Sequence, residues 1–228
     1  MTWVLYVSYV PKDVLSLQKH LGDDESAWPK QCLIEVPPEI RADIDLVVKA
    51  AGLAWTNPQI SRSIVGGVNA EAMKRWFIDV ALWSGSWRAE RRNSPAVTKT
   101  KRSIRVPIRQ TQLQELFNQD GWQCRYCGIP IGGNREHFKK FARQIEMPEL
   151  IEGRSDEARH GIYLIMMASY DHVVSHSRGG TDGTGNLVTA CWPCQFGKYK
   201  FELLELGLED PRLRKPENSG NWKGLCGN

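Results

Sequence analysis

Long apolar segments are missing from this chain of 228 residues. No apolar run approaches the roughly 20 residues that a membrane-spanning helix needs. The first residues contain neither a basic leader nor an Ala-x-Ala cleavage site, a pattern that predicts a first strand and not a signal peptide. Internal repeats and low-complexity tracts are also missing. We therefore expect a globular cytoplasmic protein that does not bind membranes.

Cysteine is scarce, yet four of the six cysteines form two Cys-x-x-Cys pairs. Cys124 and Cys127 make the first pair, and Cys191 and Cys194 make the second. A reducing compartment disfavours disulfides, whereas two such pairs supply the four thiolates of a tetrahedral structural zinc site. A dithiol redox centre is a poor alternative, because it needs one pair on a thioredoxin-like framework. The spacing therefore predicts zinc.

Net charge is small, at +4, but it is unevenly distributed. Residues 1–87 and 110–228 are each slightly acidic, whereas residues 88–109 contain eight basic residues and one acidic residue. This excess suits contact with a polyanion such as nucleic acid, although a solvated basic linker would look the same. The residues predicted to make that contact are Arg91, Arg92, Lys99, Lys101, Arg102 and Arg105.

The pattern of apolar residues and helix breakers divides the chain into three parts. Residues 1–87 are predicted to form a mostly helical domain, after a short strand at residues 4–9, with a role in recognition or partner binding. Residues 88–109 form the basic linker, and residues 110–228 form the second domain. Helices are predicted over residues 11–21, 39–51, 58–66, 70–83, 111–118, 134–145 and 155–167.

The interval between the cysteine pairs contains Asp171-His172, then Gly179-Gly180 and Asn186. Together with the cysteines and Lys198, these residues resemble the HNH endonucleases, most closely the subgroup whose ββα-metal site is stapled by a four-cysteine zinc. The resemblance covers about residues 110–200 and does not reach residues 1–87. It implies an α+β protein with a ββα-metal core, a mostly helical N-terminal domain and a helical insertion between the cysteine pairs.

The resemblance also implies roles for individual residues. His172 corresponds to the general base that activates water, and Asp171 to a ligand of a catalytic Mg²⁺ or Mn²⁺. Asn186 corresponds to the residue that pins the loop under the base. Gln195 stands where the family usually has a His or Asn as second metal ligand. Because its side chain is one methylene longer than that of Asn, either the site has adjusted, or the metal is held loosely, or activity is lost.

Three further residues are predicted to meet the phosphate backbone. His176 is expected to contact phosphate or to protonate the leaving group, with an exposed loop histidine as the alternative. Arg178 and Lys198 are expected to contact phosphate. For Arg178 the alternative is a solvated loop side chain.

These observations predict a metal-dependent endonuclease that hydrolyses phosphodiester bonds in DNA, with duplex DNA as the favoured substrate. A role in restriction or phage defence would fit by analogy. Two alternatives stay open: a zinc-stapled nucleic-acid-binding module in which Gln195 has weakened or abolished cleavage, and an HNH nuclease that acts on RNA. A homodimer, or a partner protein bound through the N-terminal domain, is also plausible on the sequence.

Overall fold

The computed structural model describes residues 35–78, 102–203, 206, 208–214, 216 and 221–226. Within these ranges the secondary structure consists of seven α-helices, one two-stranded antiparallel sheet and three short 3-10 turns. This confirms the predicted α+β class. None of the helices in the described ranges is both long and apolar enough to cross a membrane. The helices are α1 Pro38–Leu53, α2 Pro58–Gly66, α3 Ala70–Trp76, α4 Gln110–Gln119, α5 Arg135–Gln144, α6 Gly161–Met166 and α7 Trp192–Lys198, the strands are β1 Ala168–His172 and β2 Leu187–Cys191, and the 3-10 turns are Pro148–Leu150, His176–Arg178 and Thr184–Asn186.

Helices α1 to α3 form where the sequence predicts helices. Proline at the first position of α1 and α2 suits a helix start, because it has no amide hydrogen to leave unpaired. The side chains of Asn57 and Asn69 cap α2 and α3 by accepting backbone N–H hydrogen bonds. The predicted strand at residues 4–9, the predicted helix at residues 11–21 and the end of the helix predicted to reach residue 83 lie outside the described residues.

One hydrophobic core joins these helices to the cysteine-bearing part of the chain. At the start of α6, Gly161 lies so close to α3 that a Cβ atom there would stand 2.0 Å from the carbonyl oxygen of Ala70. Arg41 of α1 donates a hydrogen bond of 3.2 Å to the carbonyl oxygen of Cys127. The described N-terminal residues thus pack directly on the cysteine-bearing part. The predicted boundary at residue 87 lies outside the described ranges, so the division into domains stays a prediction.

The insertion between the cysteine pairs is only partly as predicted. Helix α5 matches the expected helix over residues 134–145, and the Asn134 side chain caps it. The helix predicted over residues 155–167 is wrong in its first half, because residues 155–159 form turns and α6 begins at Gly161. The imidazole of His160 accepts a hydrogen bond from the Ile162 amide and caps α6, which places the helix start there.

Strands β1 and β2 pair antiparallel, with Asp171 opposite Val188 and His172 opposite Leu187. Helix α7 follows β2 without an intervening loop and packs back on both strands. This ββα unit places the end of β1, the start of β2 and one face of α7 beside each other. Every candidate residue from Asp171 to Lys198 therefore lies on the unit or on the loop that joins its strands.

Candidate functional site

The four cysteines of the two pairs come together in the folded chain. Their sulfur atoms all lie within 4.8 Å of one another, and all four residues are buried. The distance between the Cys127 and Cys191 sulfur atoms is 3.7 Å. Four sulfurs at about 2.3 Å from a tetrahedral zinc would stand roughly 3.8 Å apart. The cluster is therefore compatible with the predicted zinc site.

Burial makes a cation important for this cluster. Burial raises the pKa of Cys191 and Cys194 well above the ordinary value. Burial also acts to raise the pKa of Cys124, but hydrogen bonds from the other three thiols hold it well below its usual range. Four buried thiols cannot all ionise beside one another without a compensating positive charge. A bound divalent cation would supply that charge.

The elements around the cluster explain how the pairs meet. In the first pair, the Gly128 amide donates to the Cys124 carbonyl oxygen at 2.9 Å, and Gly128 has a φ of 76°, which favours glycine. The amide of Arg125 donates to the Thr189 carbonyl oxygen at 2.9 Å and so ties this turn to β2. The second pair follows directly, because Cys191 ends β2 and Cys194 lies in the first turn of α7.

His172 lies at the end of β1, at the rim of the ββα unit, with its side chain 17% exposed. Its Nε2 atom is 2.7 Å from Oδ1 of Asp182. The Val106 amide, which donates to Asp182, and then His172 itself lower the pKa of this carboxyl group below its usual value. An ionised carboxylate only accepts hydrogen bonds, so Nε2 of His172 is the donor in this contact.

The side chain of Asp171 points to the face of β1 opposite that of His172, because neighbouring residues of a strand alternate between faces. This side chain is 8% exposed. Its Oδ2 atom accepts a hydrogen bond of 2.6 Å from the Tyr126 hydroxyl and lies 3.0 Å from Nζ of Lys198. Burial raises the pKa of Asp171, against the opposing effects of the Lys198 charge and the Tyr126 hydroxyl. Burial and the Asp171 carboxylate raise the pKa of Tyr126 well above its usual value, which keeps the hydroxyl protonated as a donor.

Asn186 holds the loop between the strands. Its side-chain oxygen accepts from the Val174 amide, and its nitrogen donates to the carbonyl oxygens of Val174 and Thr181, all at 2.9 Å. Glycine is needed at position 180, where the loop backbone passes close to Val174, because a Cβ atom there would stand 1.8 Å from the Val174 carbonyl oxygen. The contacts agree with the pinning role that the resemblance implies for Asn186.

The arrangement of a ββα unit, a histidine at the strand end and a pinned loop agrees with the comparison against known families. Residues 154–199 match the family model described as HNH endonuclease. This segment is thus similar to an HNH endonuclease domain, and we call it the HNH domain. The search of curated proteins and the search of solved structures each found no match.

The matched HNH segment contains Asp171, His172, Asn186 and the second cysteine pair, but not the first pair. At the level of the family it supports a nuclease that binds divalent metal and acts on nucleic acid. It does not reach the basic segment or any residue before 154. The first cysteine pair therefore belongs to the site through the contacts of the folded chain and not through the family match.

Two residues of the HNH domain, Asp171 and Gln195, are the predicted ligands of a hard metal ion, and each has an oxygen atom of the required kind. The Oδ1 atom of Asp171 accepts no hydrogen bond from the described residues, whose contacts with this carboxylate are all made to Oδ2. Gln195 of α7 donates through its side-chain nitrogen to the Tyr170 carbonyl oxygen at 3.2 Å. This contact holds the amide beside β1 and leaves its oxygen as a ligand atom. A carboxylate and an amide oxygen suit Mg²⁺ or Mn²⁺, which retain several water ligands.

The position of Lys198 contradicts the phosphate contact that the sequence predicts for it. Its side chain is fully buried. Nζ donates to the His172 carbonyl oxygen at 2.8 Å and pairs with Asp171. The ammonium therefore has no surface at which to meet a phosphate, and its position beside Asp171 lowers the affinity of that carboxylate for a second cation.

The described end of the basic segment lies against the loop of the HNH domain. Nε2 of His176 is 2.8 Å from the Ser103 carbonyl oxygen, and the Ser103 hydroxyl donates to the Gly180 carbonyl oxygen at 2.9 Å. His176 is thus half-buried and hydrogen-bonded, which contradicts the alternative in which it is an exposed loop histidine. Arg105 is exposed, while Arg102 and Arg178 are partly buried. The other basic residues predicted to bind nucleic acid lie outside the described residues, namely Arg91, Arg92, Lys99 and Lys101.

Two residues at the site were missed by the sequence analysis. Asp182 follows Gly179-Gly180 by two residues, and an acidic residue so close to a predicted active-site loop is a signal that could have been used. Tyr126 lies inside the first Cys-x-x-Cys pair, whose spacing predicts metal ligands at the two cysteines only. Its contact with Asp171 joins residues 45 positions apart, and local spacing gives no sign of it.

Proposed function

We propose that this protein is a metal-dependent endonuclease that hydrolyses phosphodiester bonds in DNA, with His172 as the general base. The observation that carries the proposal is the position of His172 in the HNH domain. The histidine stands at the end of β1 with its ring partly exposed and one nitrogen bonded to a carboxylate. This arrangement gives the ring a defined nitrogen with which to accept a proton.

In the proposed reaction Nδ1 of His172 takes a proton from the attacking water. A neutral imidazole suits this role, because its ordinary pKa lies near neutral pH. Asp182 keeps the other ring nitrogen protonated, and the Tyr170 ring packs edge-on at 5.8 Å between centroids. Lys198 holds the His172 backbone through the carbonyl oxygen. The base is therefore oriented from several sides before any substrate arrives.

Asp171 and Gln195 would hold the catalytic Mg²⁺ or Mn²⁺ through the two oxygen atoms described above. When bound, such an ion neutralises the negative charge that develops on the phosphate and on the leaving oxygen. Tyr126 and Lys198 both bind Oδ2 of Asp171, and so they fix the carboxylate and leave its other oxygen for the ion. The four-cysteine site would hold Zn²⁺ in a purely structural role, since four thiolates leave no position open for water.

Duplex DNA is the proposed substrate because the basic segment borders the loop that carries His176. Its described part carries the exposed cations Arg105 and Arg109 and is hydrogen-bonded to the loop through Ser103. Such a border would hold a polyanion beside His172. His176 and Arg178 are proposed to contact phosphate there once a substrate displaces or supplements their present partners. A role in restriction or phage defence is proposed by analogy alone.

The test is cleavage of matched duplex DNA, single-stranded DNA and structured RNA, each with Mg²⁺, with Mn²⁺ and with EDTA. We expect nicking or linearisation of a plasmid with either metal, none with EDTA, and a loss of at least 10²-fold for His172→Ala. Arg105→Ala should weaken DNA binding and flatten its salt dependence, whereas the same change at exposed Lys140 should do neither. Equal cleavage by the wild type and His172→Ala would overturn the assignment of the base, and faster cleavage of RNA would overturn the assignment of DNA.

A second candidate function is nucleic-acid binding with weak or lost cleavage. Two observations favour it: the Gln195 amide is bonded to the strand backbone, and Asp171 already has a positively charged partner. This alternative predicts salt-sensitive binding without turnover. Gln195→Asn and Gln195→His should then raise cleavage and metal affinity. A wild type that is already fully active, with both variants slower, would eliminate the alternative.

A further inference from the structure

We propose that Asp182 is the positioning residue of His172, an inference that rests on the proposed function of the HNH domain. The two side chains meet at 2.7 Å, and the Asp182 side chain is only 8% exposed. An ion pair of this kind on an open surface would contribute little, because water screens it and both side chains stay mobile. The surroundings of Asp182 give it a different character.

Asp182 is held from a second direction by the basic segment. Its Oδ2 atom accepts the Val106 N–H at 2.6 Å, while Oδ1 bonds to His172. The carboxylate thus uses one oxygen for a backbone donor and the other for the imidazole. Because the backbone donor cannot rotate away as a side chain can, it fixes the plane of the carboxylate and with it the position of Oδ1.

The backbone before Asp182 is fixed as well. Asn186 donates to the Thr181 carbonyl oxygen, and Ser103 donates to the Gly180 carbonyl oxygen, both at 2.9 Å. The loop and the basic segment therefore enclose the carboxylate together. A small movement of either would shift Oδ1 relative to the ring, and errors of this size at a catalytic group are costly.

The chemical consequence lies on the histidine ring. Asp182 selects the tautomer that carries hydrogen on Nε2, which leaves Nδ1 as the nitrogen that accepts the proton from water. After that transfer the ring is a cation, and the carboxylate stabilises it without taking the proton. Asp182→Asn should keep the shape of the loop but lose both effects, because an amide can donate to Nε2 as readily as it accepts.

The first measurement reads the tautomer directly and does not depend on activity. In the full-length zinc-bound protein labelled with ¹⁵N-histidine, the ring signals of His172 are assigned by their loss in His172→Gln. We expect a single Nε2–H tautomer in the wild type and a mixture, or the Nδ1–H form, in Asp182→Asn. Asp210→Asn serves as the matched control, because Asp210 is another loop carboxylate paired with a cation, Arg212. An unchanged His172 tautomer in Asp182→Asn would overturn the proposal.

The second measurement is steady-state cleavage of plasmid DNA. We expect Asp182→Asn to lower kcat by about 10²- to 10⁴-fold, the range spanned by a general base and its orienting carboxylate, with KM changed less than about threefold. Asp182→Glu keeps the charge and should recover part of the loss. A loss confined to KM, or equal kcat values for the Glu and Asn variants, would contradict positioning. If the wild type cleaves nothing while the tautomer still shifts, the proposed function fails and the positioning of His172 by Asp182 survives.

Discussion

Lys198→Met should be among the most destabilising single substitutions in the described part of the chain. The lysine side chain is fully buried, and its ammonium lies 3.0 Å from Oδ2 of Asp171. Two unit charges at that distance attract each other by about 5.5 kcal/mol at an effective dielectric constant of about 20. Methionine fills a similar volume but leaves the carboxylate with Tyr126 alone, and it leaves the His172 carbonyl oxygen without its donor. Breaking a buried pair in this way costs about 3–5 kcal/mol.

A loss of that size would be a large part of the roughly 5–15 kcal/mol that holds a typical domain together. The assay is urea unfolding with excess zinc, followed by circular dichroism, with the free energy taken from the midpoint and slope. Asp171→Asn combined with Lys198→Met removes the uncompensated charge and should recover about 2 kcal/mol relative to the additive expectation.

The control is Lys139→Met, which removes an exposed ion pair with Glu136 on the surface of α5 and should cost less than about 0.5 kcal/mol. A cost below about 1 kcal/mol for Lys198→Met would show that the ammonium reaches water. The phosphate contact predicted from the sequence would then be possible again.

Three further outcomes are expected. Gly180→Ala should cost about 1–3 kcal/mol and slow cleavage, because the added methyl would stand 1.8 Å from a carbonyl oxygen, whereas Gly185→Ala meets no atom within 4 Å and should be neutral in both assays. Removing zinc with a chelator, or replacing Cys191 by Ser, should unfold the HNH domain as seen by circular dichroism, because zinc binding to such sites contributes about 10–16 kcal/mol. The control variant Cys226→Ser should keep its fold and bind one zinc per chain. Folding lowers the pKa of Asp182. The contribution of this carboxylate to stability is therefore complete above about pH 4, the pKa in the unfolded chain, and is lost as pH falls through the pKa in the folded chain. Asp182→Asn should reduce the difference between the unfolding free energies at pH 5 and pH 3, and an unchanged difference would contradict the lowered pKa.

The parts of the fold that the sequence predicts well are those set by local chemistry. Asn57, Asn69 and Asn134 each cap a helix by accepting backbone N–H bonds, and each lies where its sequence context predicts a helix start. The clustering of the four cysteines was also predicted correctly, because metal-ligand spacing within each pair is a local property and two pairs are needed to complete one tetrahedron.

The errors fall where a distant part of the chain decides the outcome. Residues 155–159 have the composition of a helix, but the cap at His160 and the close packing of Gly161 on α3 move the helix start beyond them. The sequence predicts that Lys198, four residues after Cys194, contacts phosphate. Only the folded ββα unit shows that its ammonium turns inward to Asp171. Such pairings depend on strand register and helix packing, which neither composition nor periodicity specifies.

The four-cysteine cluster and the proposed hydrolytic site are connected by two side chains. Tyr126 lies inside the first Cys-x-x-Cys pair, and Lys198 lies one turn after Cys194 in α7, and both bind the same oxygen of Asp171. A metal ion that holds the two pairs together therefore also holds the two donors that orient the carboxylate. Loss of that ion would remove the constraint that keeps Tyr126 and Lys198 together, so it would act on the carboxylate as well as on the fold. As zinc is titrated out, the number of sites for Mg²⁺ or Mn²⁺ should therefore fall in proportion to the zinc bound and to the folded fraction seen by circular dichroism, and metal sites that outlast the bound zinc would show that the two sites are independent.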